Sequence, residues 1–389
     1  MKMLFERIGR LLQELDERRY PQEVPVESWK MKQTRERFSP EKGVEEDDWQ
    51  TLGAPYLWGG HRESYWFSTR VKIPESFSGK CVLFRLTTGK EGEWDACNPQ
   101  FSVYVNGELR QGFDVNHREL LLSECARAGE EYHLVLSAFT GDQNFSLFLR
   151  GSLVVLDRET ERYYYDVKVP YEIARLEDPE SPVYRTIVSV LNHSLNLLDL
   201  RLPGGGEAYT RTLRLAEEDL QENLYRAHGG HSEAAVLCVG HTHIDVAWLW
   251  TLAVTRDKAV RSFSTVLELM RRYPEYVFMS SQPQLYEYVK EDAPEIYEQI
   301  RQRVAEGRWE VNGGMWLEAD CNLASGESLV RQFLLGKRFF RREFDKDCDT
   351  LWLPDVFGYS AALPQIMQKN GVPYFMTTKI SWSEFNKLP

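Results

Sequence analysis

No stretch of the 389-residue chain approaches the roughly 20 consecutive apolar residues that a membrane-spanning helix needs. The N-terminus, MKMLFERIGRLLQELDERR, lacks the apolar core and the small-residue cleavage site of a secretory signal. An excess of positive charge is also missing. Lys plus Arg is 47 against 59 Asp plus Glu, a net charge of −12, which excludes a general nucleic-acid binder with its basic face. The six cysteines (Cys81, Cys97, Cys125, Cys238, Cys321, Cys348) show no pairing pattern, so reduced thiols and a cytoplasmic location are expected. There is no internal repeat and no low-complexity tract. No histidine follows His243, although the chain has eight.

What is present is globular in character. Hydrophobic residues make up 42% and charged residues 27%, too apolar for a disordered chain. Aromatics reach 13%, with 11 Trp. Rings at that density serve packing, or they present faces to the C–H side of a pyranose. Residues 1–43 read as an N-terminal helical segment, with Leu4, Ile8, Leu11, Leu12 and Leu15 on one side. Residues 44–157 carry short runs rich in Val, Phe, Tyr and Thr, including Tyr65–Ile73, Cys81–Thr88, Tyr132–Phe139 and Phe145–Leu156. Asn106-Gly107 marks a hairpin. An antiparallel β-sandwich of galactose-binding-like type is expected there. Trp58, Trp66 and Trp94 are its candidate sugar-facing rings, weighed against a packing role. Residues 158–233 read as a helical connecting region.

From Ala234 onward, apolar runs alternate with helical patterns: Ala234–Gly240, Tyr276–Ser280, Trp309–Val311 and Thr350–Leu353 as strands, with helices over Asp257–Arg272, Tyr286–Glu306 and Ser328–Glu343. Residues 234–389 are therefore expected to form an incomplete α/β barrel, and the whole chain a multi-domain α+β protein. Three strand-end segments bear chemistry. In His241-Thr242-His243-Ile244-Asp245, extended backbone would send His241, His243 and Asp245 to one side, a nitrogen and oxygen set suited to Zn²⁺. Hydrogen-bonded loop residues are the alternative. In Trp352–Ser360, Asp355 follows the strand as a helix cap or as a ligand. In Trp309–Asp320, Gly313 and Gly314 permit close backbone approach, and Glu318 and Asp320 are either functional or solvated acids of a tight turn.

The tracts HTHIDVAWLW, WEVNGGMWLEADCNLASGES, WLPDVFGYSAALPQIM and TTKISWSEFNKLP, in this order, resemble the glycoside hydrolase family 38 α-mannosidases, most closely the cytosolic type. The resemblance implies hydrolysis of terminal non-reducing α-D-mannose from oligosaccharides by a zinc-dependent retaining mechanism. It implies that His243 and Asp245 are zinc ligands and that Asp355 is both ligand and catalytic nucleophile. Trp248 and Phe357 would line the subsite of the attacked mannose. His241 matches a motif histidine that is not a ligand, so the three-residue convergence drawn from spacing is one residue too generous. The partner is a mannose-containing oligosaccharide, with neither nucleic acid nor membrane involved, and the N-terminal segments are available for contacts within a homo-oligomer.

Only about 155 residues follow Ala234, whereas a closed barrel takes roughly 200–250. The resemblance places a fourth zinc ligand, a histidine, and the acid/base carboxylate further downstream. An N-terminal part of a longer enzyme, inactive by itself, is therefore expected. Two competing readings are another metal hydrolase of amidohydrolase or deacetylase type on the HxHxD strand end, and a non-catalytic carbohydrate-binding fragment.

Overall fold

The computed structural model describes residues 1–34, 46–53, 56–93, 99–229, 235–382 and 385. Helix α1 (Lys2–Arg18) buries Ile8, Leu12 and Leu15, the apolar side expected of it. It packs with α2 (Arg158–Leu176), α3 (Pro182–Leu197) and α4 (Glu207–Leu220), which runs on into a wider π turn over Gln221–Arg226. Helix α2 starts at a cap the sequence announces, since the Asp157 carboxylate accepts from the amides of Glu159 and Thr160.

Two antiparallel sheets share one core. The first has the order β1 (Gln22–Pro25), β12 (Arg150–Val155), β6 (Val82–Thr87), β9 (Glu119–Ser123). The second has the order β3 (Gln50–Leu52), β2 (Trp29–Gln33), β5 (Ser64–Lys72), β10 (Glu131–Phe139), β7 (Gln100–Val105), β8 (Glu108–Phe113). A separate pair, β4 (Leu57–Gly60) with β11 (Phe145–Phe148), closes one end. Alternate residues such as Phe67, Phe84, Phe101, Leu136 and Leu153 point into the shared core. The β7–β8 hairpin turns on Asn106 and Gly107, with φ of 51° and 88°, as a two-residue loop requires.

Two sequence expectations change here, and for Trp58 the packing role is the one observed. Strands β1 and β2 enter the sheets, so the first 43 residues are not only helical and the β region begins well before residue 44. The run Phe145–Leu156 is two strands in different sheets rather than one. Trp58 is a core residue, with rings of Tyr65, Phe67, Phe101 and Phe145 between 5.1 and 5.7 Å from its own. Trp66 lies half-buried on the opposite face of β5 beside Trp49, and Trp94 lies outside the described residues.

The last part of the chain is a βα succession of parallel strands. Strands β13 (Gly240–His241), β14 (Phe278–Ser280) and β15 (Trp309–Val311) form one sheet, and β16 (Thr350–Leu353) pairs with β17 (Tyr374–Thr377). A parallel bridge between Gly313 and Leu351 links the two. Helices α5 (Leu252–Arg272), α6 (Pro283–Asp292), α7 (Pro294–Ala305), α8 (Gly326–Phe344) and α9 (Leu363–Lys369) fall between the strands. The helix expected over Tyr286–Glu306 is divided at Pro294, which opens α7. The described strands do not close a barrel. Nor is the run before Gly240 a buried strand: Val236 and Leu237 are 84% and 91% exposed, because β14 offers pairing only to Gly240 and His241.

The β region and the α/β region meet along a tight seam. A Cβ on Gly112 of β8 would lie 2.8 Å from Arg261 Cβ of α5. Leu109 of β8 belongs to the apolar core built around α5, α6 and α7, and Arg110 pairs with the buried Glu268 of α5 at 3.3 Å.

Candidate active site

The parallel strands bring their C-terminal ends together, and the loops that leave them carry the candidate residues. Gly240 lets β13 lie against β14, since a Cβ there would come within 2.1 Å of the Tyr276 hydroxyl. The next residue, His241, is fully engaged. Its Nδ1 donates to the Met279 carbonyl at 3.1 Å, and its Nε2 accepts from Trp352 Nε1 at 3.1 Å. Burial lowers its pKa, which suits this neutral form. With both ring nitrogens occupied, His241 ties β13 to β14 and β16 and is no ligand.

His243, Asp245 and Asp355 converge, their donor atoms all within 4.8 Å of one another. His243 Nε2 lies 2.8 Å from Asp245 Oδ1 and 3.5 Å from Asp355 Oδ2. Each of the three is partly exposed. Burial pulls the His243 pKa down, but the carboxylates of Glu318 and Asp245 outweigh it and hold the ring at about 9. The metal-free ring is therefore an imidazolium at neutral pH, its Nε2 proton standing between two carboxylates.

This arrangement fits a divalent cation. Ligand bonds of about 2.0–2.2 Å leave donor atoms roughly 3–4 Å apart, close to the spacing observed, and one imidazole with two carboxylates is a zinc-type set. The residues that would hold the ion are His243, Asp245 and Asp355.

Asp355 is also held from its other side. Lys379, just past β17, places Nζ 2.7 Å from Asp355 Oδ1. The loops after β16 and β17 are stitched at the Pro354 carbonyl, which accepts from Thr378 Oγ1 at 2.6 Å and from the Lys379 amide at 3.3 Å. The ammonium of Lys379 stands 4.0 Å from the ring centre of Trp382 and 5.1 Å from that of Phe357. Phe357, 67% exposed, thus flanks the cluster and presents its ring to solvent. Trp248 is half-exposed on the loop three residues past Asp245, edge-on to Trp250 at 5.4 Å.

Of the acidic pair noted in the sequence, Asp320 accepts from the Asn322 and Leu323 amides as a turn residue. Glu318 is not a solvated acid: its side chain is 5% exposed and its Oε2 lies 2.8 Å from His243 Nδ1. Lys379, Ser281 and Gln282 escape sequence reasoning. For Lys379 the available signal was its place in the tract TTKISWSEFNKLP, one of the four that carry the family resemblance.

In parallel α/β folds, ligand and metal sites lie beyond the strand C-termini, which is where these donors gather. Residues 233–389 match the family model of the glycosyl hydrolases family 38 N-terminal domain. Alpha-mannosidase G of Dictyostelium discoideum is 32% identical over 347 residues, covering 84% of this chain and 30% of that protein. Alpha-mannosidase 2C1 of Homo sapiens is 34% identical over 335 residues, 83% of this chain and 31% of that protein. The Alpha-mannosidase of Saccharomyces cerevisiae is 29% identical, with 83% and 31% covered. The chain thus spans about a third of the length of these curated relatives.

Proposed function

We propose that this chain carries part of the catalytic apparatus of a zinc-dependent retaining α-mannosidase that removes terminal non-reducing α-D-mannose from oligosaccharides. The observation that carries the reading is the convergence of His243, Asp245 and Asp355 within 4.8 Å beside exposed aromatic rings. A zinc ion held by His243, Asp245 and Asp355 would supply Lewis acidity at the hydroxyls of the bound mannose. Asp355 then supplies the attacking oxygen. Its carboxylate forms a bond to the anomeric carbon as the glycosidic C–O bond breaks, the leaving oxygen takes a proton from an acid/base carboxylate, and water later cleaves the mannosyl ester. Lys379 fixes the rotation of that carboxylate by holding Oδ1. Trp248 and Phe357 offer apolar faces to the sugar ring. No helix among the described residues is long and apolar enough to cross a membrane, and the five described cysteines are free, in keeping with a cytoplasmic setting.

The test is hydrolysis of an aryl α-D-mannoside by a chain of the relatives' length that begins with these residues, with and without a chelator. Chelator-sensitive release is expected. No turnover at all, or turnover of acetamides in place of mannosides, would replace the reading with the binding-module or amidohydrolase alternative, and chelator-insensitive release of mannose would remove the metal from it.

A further inference from the structure

Glu318 is a buried carboxylate that the proposed reaction does not use. It leaves β15 through Gly313 and Gly314, whose φ of 116° and 73° let the chain turn where side chains would collide: a Cβ on Gly313 would meet Ser281 Cβ at 2.6 Å. The turn delivers Glu318 under the strand-end loop of β13. One oxygen, Oε1, accepts from Ser281 Oγ at 3.2 Å. The other, Oε2, faces His243 Nδ1 at 2.8 Å, and neither of these two buried atoms has a well-aligned hydrogen-bond partner among the described residues. The backbone around the pair is clamped by Gln282, a buried non-glycine residue at φ 62°. Its Nε2 donates to the carbonyl of Ile244, the residue between His243 and Asp245, and its Oε1 accepts from the Glu318 amide at 3.4 Å.

We propose that Glu318 is the positioning residue of His243: it holds the Nδ1–H so that the lone pair of Nε2 points at the site shared with Asp245 and Asp355. The proposal rests on the metal-site reading above. Its physical basis is that a carboxylate is left buried only where it is paired, and that a carboxylate on one imidazole nitrogen fixes the tautomer and raises the donor strength of the other. Ser281 satisfies one oxygen, and the remaining one has its use at the histidine.

Cobalt(II) titration of the full chain, followed by its visible absorption, tests this without an activity assay. Glu318→Gln, of equal size, is expected to lower Co²⁺ affinity by about 10–100-fold while the metal-free protein keeps the wild-type far-UV circular dichroism. Ser281→Ala, which frees Oε1, is expected to lower it by a smaller factor and serves if the Glu318→Gln variant does not fold. His243→Ala and Asp355→Ala are run beside them. Loss of binding in those two with wild-type affinity in Glu318→Gln and Ser281→Ala would overturn the positioning role alone. Unchanged binding in all four would overturn the metal site itself.

Discussion

Asp355 is divided between two cationic side chains: Oδ1 lies 2.7 Å from Lys379 Nζ, and Oδ2 lies 3.5 Å from His243 Nε2. The carboxylate is thereby held with one oxygen committed to a lysine and the other turned to the site. A metal ion taking this place would displace the Nε2 proton of His243 and would still meet the charge of Lys379.

The first prediction follows from that competition. Lys379→Met removes one positive charge from the edge of the donor set, so the variant should bind zinc about 3- to 10-fold more tightly at low salt. Calorimetric titration of residues 1–389 checks it. Weaker binding in the variant would mean that Lys379 matters more for orienting Asp355 than for opposing the ion.

The second concerns the nucleophile. In a chain of the relatives' length, Asp355→Asn should abolish release from an aryl α-D-mannoside, by a larger factor than His243→Ala reduces it. The first change replaces the carboxylate that would form the sugar ester with a neutral amide, and the second removes one of the proposed metal contacts. Mass spectrometry of a trapped fluorinated mannosyl adduct on any residue other than Asp355 would remove the assignment.

A third prediction separates the tryptophans. Trp58 sits among four aromatic rings in the shared core of the two sheets, so Trp58→Ala should cost about 3–5 kcal/mol. Trp66, half-buried on the other face, should cost less than half of that. Denaturant unfolding of the two variants, with equal slopes, gives the comparison directly.

Glu343 supplies a prediction in pH. Its Oε2 accepts from Lys290 Nζ and Tyr297 OH, each at 2.8 Å, and its Oε1 accepts from Arg342 Nε, also at 2.8 Å, linking α6, α7 and α8. Burial alone would raise its pKa, but Lys290, Tyr297 and Arg342 lower it from the usual value near 4.5 to about 2. A folded-state value below the unfolded one stabilises above the unfolded pKa and loses that contribution as pH falls through the folded one. Glu343→Gln should therefore melt below the wild type at pH 7, and the gap should close between about pH 4.5 and 2. A gap that stays constant over that interval would show that the carboxylate's charge is not what stabilises the junction.

How far the sequence reveals the site depends on which residues act locally. His243 and Asp245 were legible because strand-end spacing puts them on one side, and Asp355 because it also follows a strand and stands in a tract that carries the family resemblance. Asn106-Gly107 was legible because positive φ at two successive positions is chemistry of the residues themselves. The role of His241 was not legible from spacing, since its exclusion as a ligand comes from Met279 and Trp352, 38 and 111 positions away in sequence. Glu318 reads as a surface acid until the Gly313–Gly314 turn is seen to carry it inward. Ala234–Gly240 has the composition of a buried strand, but composition cannot supply the neighbour that would bury it.

The seam at Gly112 has a bearing on how such a protein can change. Where two regions touch through a position with no room for a methyl group, neither can be exchanged for an unrelated counterpart without refitting the other. Leu109 extends the point, since an α/β region cut free at residue 235 would lose that residue from its own core. A shortened chain that keeps the α/β region should therefore keep β8 and the sheet that holds it.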